Sequence, residues 1–257
     1  MRAEAAKFGY ALTVVDANRD NALQQSQVED FISERDDAIV ITPYDSQAIG
    51  SAIAEANRAN IPVFTADIAS TSRLGTVITH VASDNVQGGY EAGTLMCDAV
   101  GKRGTVAIID EPEVTSVQDR VRGFRNALAK LCPNVSIVAD VDGGGTRDLA
   151  ESDMSDILQS HHNISGVFGI NDDSALGALT AVKAAGLVGK VKIVGYDATP
   201  EARAAIAAGQ MYGDAVQYPK VIGKTTIDVI HEYFSGKRPP KFVGIRVGSY
   251  TKAGYGK

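Results

Sequence analysis

Val167-Phe168-Gly169-Ile170 is followed by Asn171-Asp172-Asp173-Ser174, then by apolar positions at Leu176, Leu179 and Val182, and then by a second short run, Val191-Lys192-Ile193-Val194. The two flanking runs have strand length and β-branched character, while the spacing of three between them is that of one helix face. The segment therefore reads as strand, helix, strand. Working outward, the same succession recurs. Short runs at 12–15, 38–42, 61–65, 77–81, 105–109 and 135–139 alternate with helical patterns at Val28, Phe31 and Ile32, at Ile49, Ile53 and Ala56, and at Val117, Val121, Phe124, Leu128 and Leu131. The runs are apolar on both faces, as strands of a parallel sheet covered by helices on each side are. Strands alternating with helices throughout predict a doubly wound α/β fold.

Eight such strands are many for one open sheet, and the style changes near Ser83-Asp84-Asn85, where a strand gives way to a glycine-rich helix start. Two parallel-sheet lobes are the better reading, 1–83 with 218–245 and 84–217 with 246–257. A late strand lies within 211–219, a helix follows over 221–234, and after the loop 236–240 a last extended piece covers 242–247. No low-complexity linker separates the lobes, so the chain is expected to cross between them several times, and crossings of this kind act as a hinge.

Composition narrows the functional classes. The chain has 257 residues, 25 Lys+Arg against 31 Asp+Glu, and a formal net charge of -6. An acidic balance without a basic run argues against a nucleic-acid partner, whose binding rests on positive charge that displaces counterions. No stretch approaches the roughly 20 apolar residues of a membrane span. The first ten residues carry no apolar core of an export signal. Phosphate-loop, serine-hydrolase elbow and zinc-protease motifs are absent, so neither a catalytic residue nor a cofactor nor a metal site is assigned. Gly143-Gly144-Gly145-Thr146 lacks the lysine of a phosphate cradle and reads as a loop. His161-His162 reads as a helix end rather than a zinc site.

In open α/β sheets ligands bind beyond the carboxyl ends of the strands. The polar residues there are Asp67, Asp84 and Asn85, Asn171 and Asp172, Asp197, and Gln217, with Arg120 in the first turns of a helix opened by Thr115-Ser116. Carboxylate acceptors, amides and one planar five-donor cation suit a neutral polyhydroxylated ligand. The plainer reading of Asp84, Asn85, Asp172 and Asp173 is helix capping, and that of Arg120 is a solvated helix charge. Asp67 and Asp197 stand open between the two readings. A glycosidase pair built from them lacks the environment that would raise one carboxyl. Cys97 is near the end of one helix and Cys132 follows another, the two helices flanking one strand, and both a disulfide and two buried thiols fit that placement.

The chain resembles the periplasmic sugar-binding proteins of ABC transporters, of the ribose-binding-like type I group. The resemblance is carried by Ala59-Asn60-Ile61-Pro62-Val63, by Val81-Ala82-Ser83-Asp84-Asn85-Val86-Gln87-Gly88-Gly89, and by Thr115-Ser116 to Arg120 with Gly123-Phe124. It continues through Asn171-Asp172 with Ala175-Leu176-Gly177, Val194-Gly195-Tyr196-Asp197 with Thr199-Pro200, and Ala215-Val216-Gln217-Tyr218-Pro219. It implies two lobes joined by three crossings that close on a monosaccharide or polyol, with Asp67, Arg120, Asn171, Asp197 and Gln217 at the family's sugar-bonding positions. It further implies delivery to an ABC permease, an extracytoplasmic location and a monomer. The related effector core of LacI-type regulators is the alternative, and the form of 206–219 favours the binding protein.

Three departures accompany the resemblance. Ile68 stands where the family commonly has Arg, no aromatic falls near Gly144 or Gly145, and residues 1–10 align with the latter part of the family's first helix. A first strand central to the N-lobe sheet is therefore expected to be missing. That implies a less stable N-lobe and a weakened sugar site.

Overall fold

The computed structural model describes residues 1–256. In chain order its elements are α1 (Arg2–Lys7), α2 (Asn21–Glu34), β1 (Ile39–Ile41), α3 (Gly50–Arg58), β2 (Val63–Ala66), β3 (Val77–Ser83), α4 (Asn85–Ala99), β4 (Arg103–Asp110), α5 (Thr115–Leu131) and β5 (Asn134–Asp142). They continue with α6 (Arg147–Ser160), β6 (Ile164–Gly169), α7 (Asp172–Ala184), β7 (Lys192–Tyr196), α8 (Pro200–Ala207), β8 (Gly213–Val216), α9 (Pro219–Phe234), β9 (Phe242–Ile245), β10 (Gly248–Thr251) and β11 (Gly254–Tyr255). The alternation read from the sequence is thus the alternation of an α/β protein with parallel sheets. Two compact units result, one of Met1–Ser83, Glu113–Ser116 and Tyr218–Ile245, the other of Asp84–Pro112, Val117–Gln217 and Arg246 onward.

In the first unit the sheet order is β1-β2-β3-β9, every pair parallel. Buried Phe64, Val81, Ile222 and Ile230 form one of its cores, beneath α9. Helix α1 docks there as well: Phe8 stacks on His231 of α9 at 3.9 Å, and the Tyr10 hydroxyl meets His231 Nδ1 at 2.9 Å. The run 12–15 corrects the sequence reading, because it forms no strand. Val14 and Val15 are 56% and 46% exposed, and β1 pairs only with β2 among the described residues. A β-branched run becomes a strand only where a neighbouring backbone supplies the complementary N–H and C=O groups.

In the second unit the order is β11-β10-β8-β7-β6-β4-β5. The five strands from β8 to β5 run parallel, and the β10–β11 hairpin is added antiparallel on β8. Chain order moves from β4 outward to β5, then returns past β4 to β6, β7 and β8. The reversal between β4 and β6 is the topological switch point, where this class of sheet opens a crevice at its carboxyl edge. Phe124 of α5 stacks on Phe168 of β6 with centroids 4.6 Å apart, a contact contributing about 0.5 to 1.5 kcal/mol beyond its buried area. Cys97 and Cys132 are joined in a disulfide with Cα atoms 5.7 Å apart and a sequence separation of 35. Closing a loop of that length stabilises by roughly 3 to 4 kcal/mol in the chain-entropy account.

Local stability should follow ladder pairing. In hydrogen exchange, the amides of 12–15 are expected to exchange nearly as an open chain, whereas those of 106–109, buried between β5 and β6, should be among the slowest. Comparable protection in the two segments would show that 12–15 has a backbone partner.

Candidate functional site

Asn171 follows β6, Asp197 follows β7 and Gln217 follows β8, and these three strands are neighbours in one sheet. The parallel direction alone carries their side chains to the same, carboxyl edge. Arg120 joins them from α5, at the switch point. It is only 5% exposed, so it is not the solvated helix charge of the plainer reading. Its Nη1 donates to Ile170 O at 2.8 Å, its Nε to Asn85 Oδ1 at 3.1 Å, and its Cζ lies 4.0 Å from the ring centroid of fully buried Tyr196. The cation is thereby hydrogen bonded and stacked, which a buried charge requires. Nη2 is the guanidinium nitrogen that these two bonds leave for other use.

The capping reading holds for Asp84 and needs revision for Asn85, Asp172 and Asp173. Asp84 is the N-cap of α4, accepting from Gln87 N at 3.0 Å. Asn85 instead lies just inside the helix, buried, and its Oδ1 accepts from both Arg120 Nε and the Tyr196 hydroxyl, the latter at 3.2 Å. The cap of α7 is Asn171 rather than Asp172 or Asp173. Its Oδ1 accepts from Ser174 N at 2.8 Å, while its Nδ2 donates to Gly145 O at 3.1 Å. Asparagine outcompetes the aspartates because only the residue preceding the first turn has the extended backbone that aims its oxygen at the free amides. Gly88, one turn into α4, faces Tyr196 so closely that a methyl group there would overlap the Tyr196 hydroxyl. Tyr196 is the member that strand-end reading passes over, as an ordinary strand residue; Asn85 is among the strand-end residues but resembles a cap.

Asn171 and Asp197 line one concavity with Arg147, Asp172, Leu176, Thr199 and Glu201. Gln217, which is not among the lining residues, donates its Nε2 to Asp197 Oδ1 at 2.6 Å, so two of the strand-end residues bond directly. Asp197 has φ 114° and Ala198 φ 57°, a positive-φ stretch that non-glycine residues adopt at some cost, asparagine and aspartate less than most. The Asp197 amide is tied to Ala215 O of the next strand at 2.8 Å. At the rim Arg147 spans Glu201 and Asp173, with Nη1 2.9 Å from Glu201 Oε1 and Nη2 3.0 Å from Asp173 Oδ1. Hydrogen bonding to Arg147 lowers the Glu201 pKa and raises that of the arginine.

Asp67 belongs to the first unit and repeats the local geometry of Asp197. It follows β2, has φ 66°, and donates its amide to Val81 O of the next strand at 2.9 Å. No helix starts at the following residues, so a capping role does not apply. The loop beyond it is pinned where Ala69 N donates to Thr115 Oγ1 at 3.2 Å. In both units an aspartate thus turns the chain out of a buried strand.

The chain matches the periplasmic binding protein domain over residues 1–238. It is 36% identical over 242 residues to the ribose import binding protein RbsB of Bacillus subtilis, covering 93% of this chain and 77% of that protein. Among solved structures, an ABC transporter periplasmic solute-binding protein from Actinobacillus succinogenes with bound D-allose superposes with a TM-score of 0.88 at 29% identity, over 98% of this chain and 90% of that one. A Caulobacter myo-inositol binding protein bound to myo-inositol gives 0.89 at 30% identity, over 98% and 86%. No helix among the described residues is long and apolar enough to cross a membrane.

The carboxyl end of β4 carries a further titratable group. Burial, and then the charges of Asp140 and Asp142, raise Asp110 to a pKa of about 6, against the opposing Glu111 amide and Arg125. A carboxyl whose folded pKa is raised binds its proton more tightly folded than unfolded. Its contribution to stability is complete below about pH 4 and is lost as pH rises through 6. Replacing Asp110 by Asn should flatten the decline of the urea midpoint over that window, and a decline as steep as in the parent chain would contradict the shift.

Proposed function

The chain belongs to the periplasmic binding protein family, and from that premise we propose that it is a receptor binding a monosaccharide or related polyol and presenting it to an ABC permease. Arg120, Asn171, Asp197 and Gln217 of the second unit supply hydrogen bonds to the sugar, and for Asp67 the same role rests on the family resemblance alone. The observation that carries this reading is the alignment of Asn171, Asp197 and Gln217 at the ends of three adjoining strands, beside a buried, stacked Arg120. A sugar hydroxyl donates and accepts at once, so a carboxylate paired with an amide, next to an arginine, matches it on both sides. The rings of ribose, allose and inositol, named for the relatives, all present such hydroxyls. Binding without turnover suits a site whose acids are held by amides rather than poised against a nucleophile. Action outside the cytoplasm accords with import binding by the relatives. The effector core of a LacI-type regulator is not favoured, since the matched relatives are import binding proteins.

Thermal shift against D-ribose, D-allose and myo-inositol tests this. A sugar present at about 100 times its Kd should stabilise the chain by about 2.7 kcal/mol. Arg120→Lys keeps the charge but loses the planar stack and the fork of donors. It should weaken the best sugar by roughly 1.5 to 3 kcal/mol in calorimetric titration. No stabilisation by any sugar of a broad panel would refute the receptor reading, and unchanged affinity in Arg120→Lys would remove Arg120 from the site.

A further inference from the structure

Beneath the proposed sugar site lies a second pair of acids that it does not use. Asp214 sits inside β8, opposite Gly195 of β7 and Tyr250 of β10, with no exposed surface. Asp172, the first residue of α7, is 3% exposed. Its Oδ2 accepts from Thr199 N, the cap residue of α8, at 2.6 Å. Its Oδ1 and both oxygens of Asp214 have no donor among the described residues. The two carboxyls crowd the same face of Gly195: a methyl group there would overlap Asp214 Oδ1 and lie 2.9 Å from Asp172 Oδ1.

An ionised carboxylate only accepts, so two ionised acids here would face each other with three unsatisfied oxygens in a medium that screens poorly. One proton removes one of the two charges and pairs two of the three oxygens, because a neutral carboxyl donates. We propose that Asp214 and Asp172 share a proton, Asp214 donating to Asp172, as a buried positioning pair that locks the helix end carrying Asn171 to the loop carrying Asp197. The role toward the sugar rests on the receptor reading above; the shared proton does not.

The surroundings agree. Burial first, and the Asp172 charge second, raise Asp214 well above the ordinary carboxylate range, and burial raises Asp172. Asp173 on α7 and Asp197 on the loop add negative charge. Arg203 of α8 is the opposing cation, but its Nε donates to Ala198 O and its Nη1 to the Tyr255 hydroxyl. On α8, Glu201 is held by Arg147. On α4, which also packs against β8, Glu91 accepts from Gln87 and Asp98 acts on Tyr212. A raised pKa means that the folded chain keeps a proton the unfolded chain loses. The stabilisation is complete below about pH 4 and declines as pH rises toward the folded value.

Asp214→Asn keeps the shape and supplies a permanent N–H donor. At about pH 6, where ordinary carboxyls are ionised, the infrared difference between the parent and Asp214→Asn should show a protonated-carboxyl band, the half-protonated Asp110 contributing equally to both. The folding equilibrium constant of Asp214→Asn relative to the parent should climb with pH by up to roughly tenfold per unit, the slope of one linked proton. The protection factor of the Thr199 amide should fall with rising pH in the parent and hold in Asp214→Asn. No difference band, or parallel stability profiles, would overturn the shared proton, and equal Thr199 profiles would overturn the positioning role. With D-ribose, D-allose or myo-inositol, the parent's affinity should weaken toward alkaline pH while that of Asp214→Asn is kept. Failure of both proteins to bind any sugar, with the band and slopes present, would refute the receptor reading alone.

Discussion

A guanidinium taken out of water is tolerated only when its donors and its charge are answered by the protein. Arg120 is answered from three directions: by Asn85 at the start of α4, by the carbonyl of Ile170 beyond β6, and by the face of Tyr196 at the end of β7. Arg120 itself belongs to α5. One side chain therefore ties two helices and two strand ends together at the switch point, and loss of any partner leaves a buried group unsatisfied, at about 1 to 3 kcal/mol. The arrangement is tight because Gly88 lets α4 approach Tyr196, while the Phe124–Phe168 stack sets α5 on the sheet.

From that anchor the polar edge divides into two layers. The outer one, Asp197 with Gln217 and Asn171 with Gly145, is built from charge-to-amide and amide-to-carbonyl bonds. Such groups can exchange partners with a ligand hydroxyl at little net cost, since a hydrogen bond is replaced by a hydrogen bond. The inner layer, Asp214 with Asp172, is almost wholly buried, Asp214 completely and Asp172 reaching the concavity with 3% of its surface. There a change of protonation has little solvent to absorb it and must be taken up by the elements the pair joins. On the proposed reading, recognition and rigidity thus fall to neighbouring but chemically different acids.

Much of this was legible in the residues. Runs apolar on both faces, as at 105–109, alternating with helical patterns fit covered parallel strands, and the strand-end rule put Asn171, Asp197 and Gln217 among the polar residues beyond them; that these three adjoin at one edge follows from the sheet order. The run 12–15 misled because apolar character says nothing of whether a pairing backbone lies alongside. Asp172 and Asp173 looked like caps because composition does not reveal where extended backbone gives way to helix, and that register made Asn171 the cap. Asn85 was hidden by the same ambiguity, its partners lying 35 and 111 residues away. The Cys97–Cys132 bond stayed open in the sequence, since a shared end of a sheet does not fix a distance. Asp214 was read only as part of a strand, and its meaning depends on Asp172 arriving from another helix.

The central claim is that a sugar is held at the carboxyl ends of β6, β7 and β8 beside Arg120. Its most direct test is a nuclear magnetic resonance titration that follows the side-chain amides of Asn171 and Gln217 and the Nε–H of Arg120 as a bound monosaccharide is added. These signals should move together, saturating at the same sugar concentration, and more than the backbone amides at the opposite ends of the same strands. Saturable binding that leaves all three unmoved, with shifts gathered elsewhere in the unit, would contradict it.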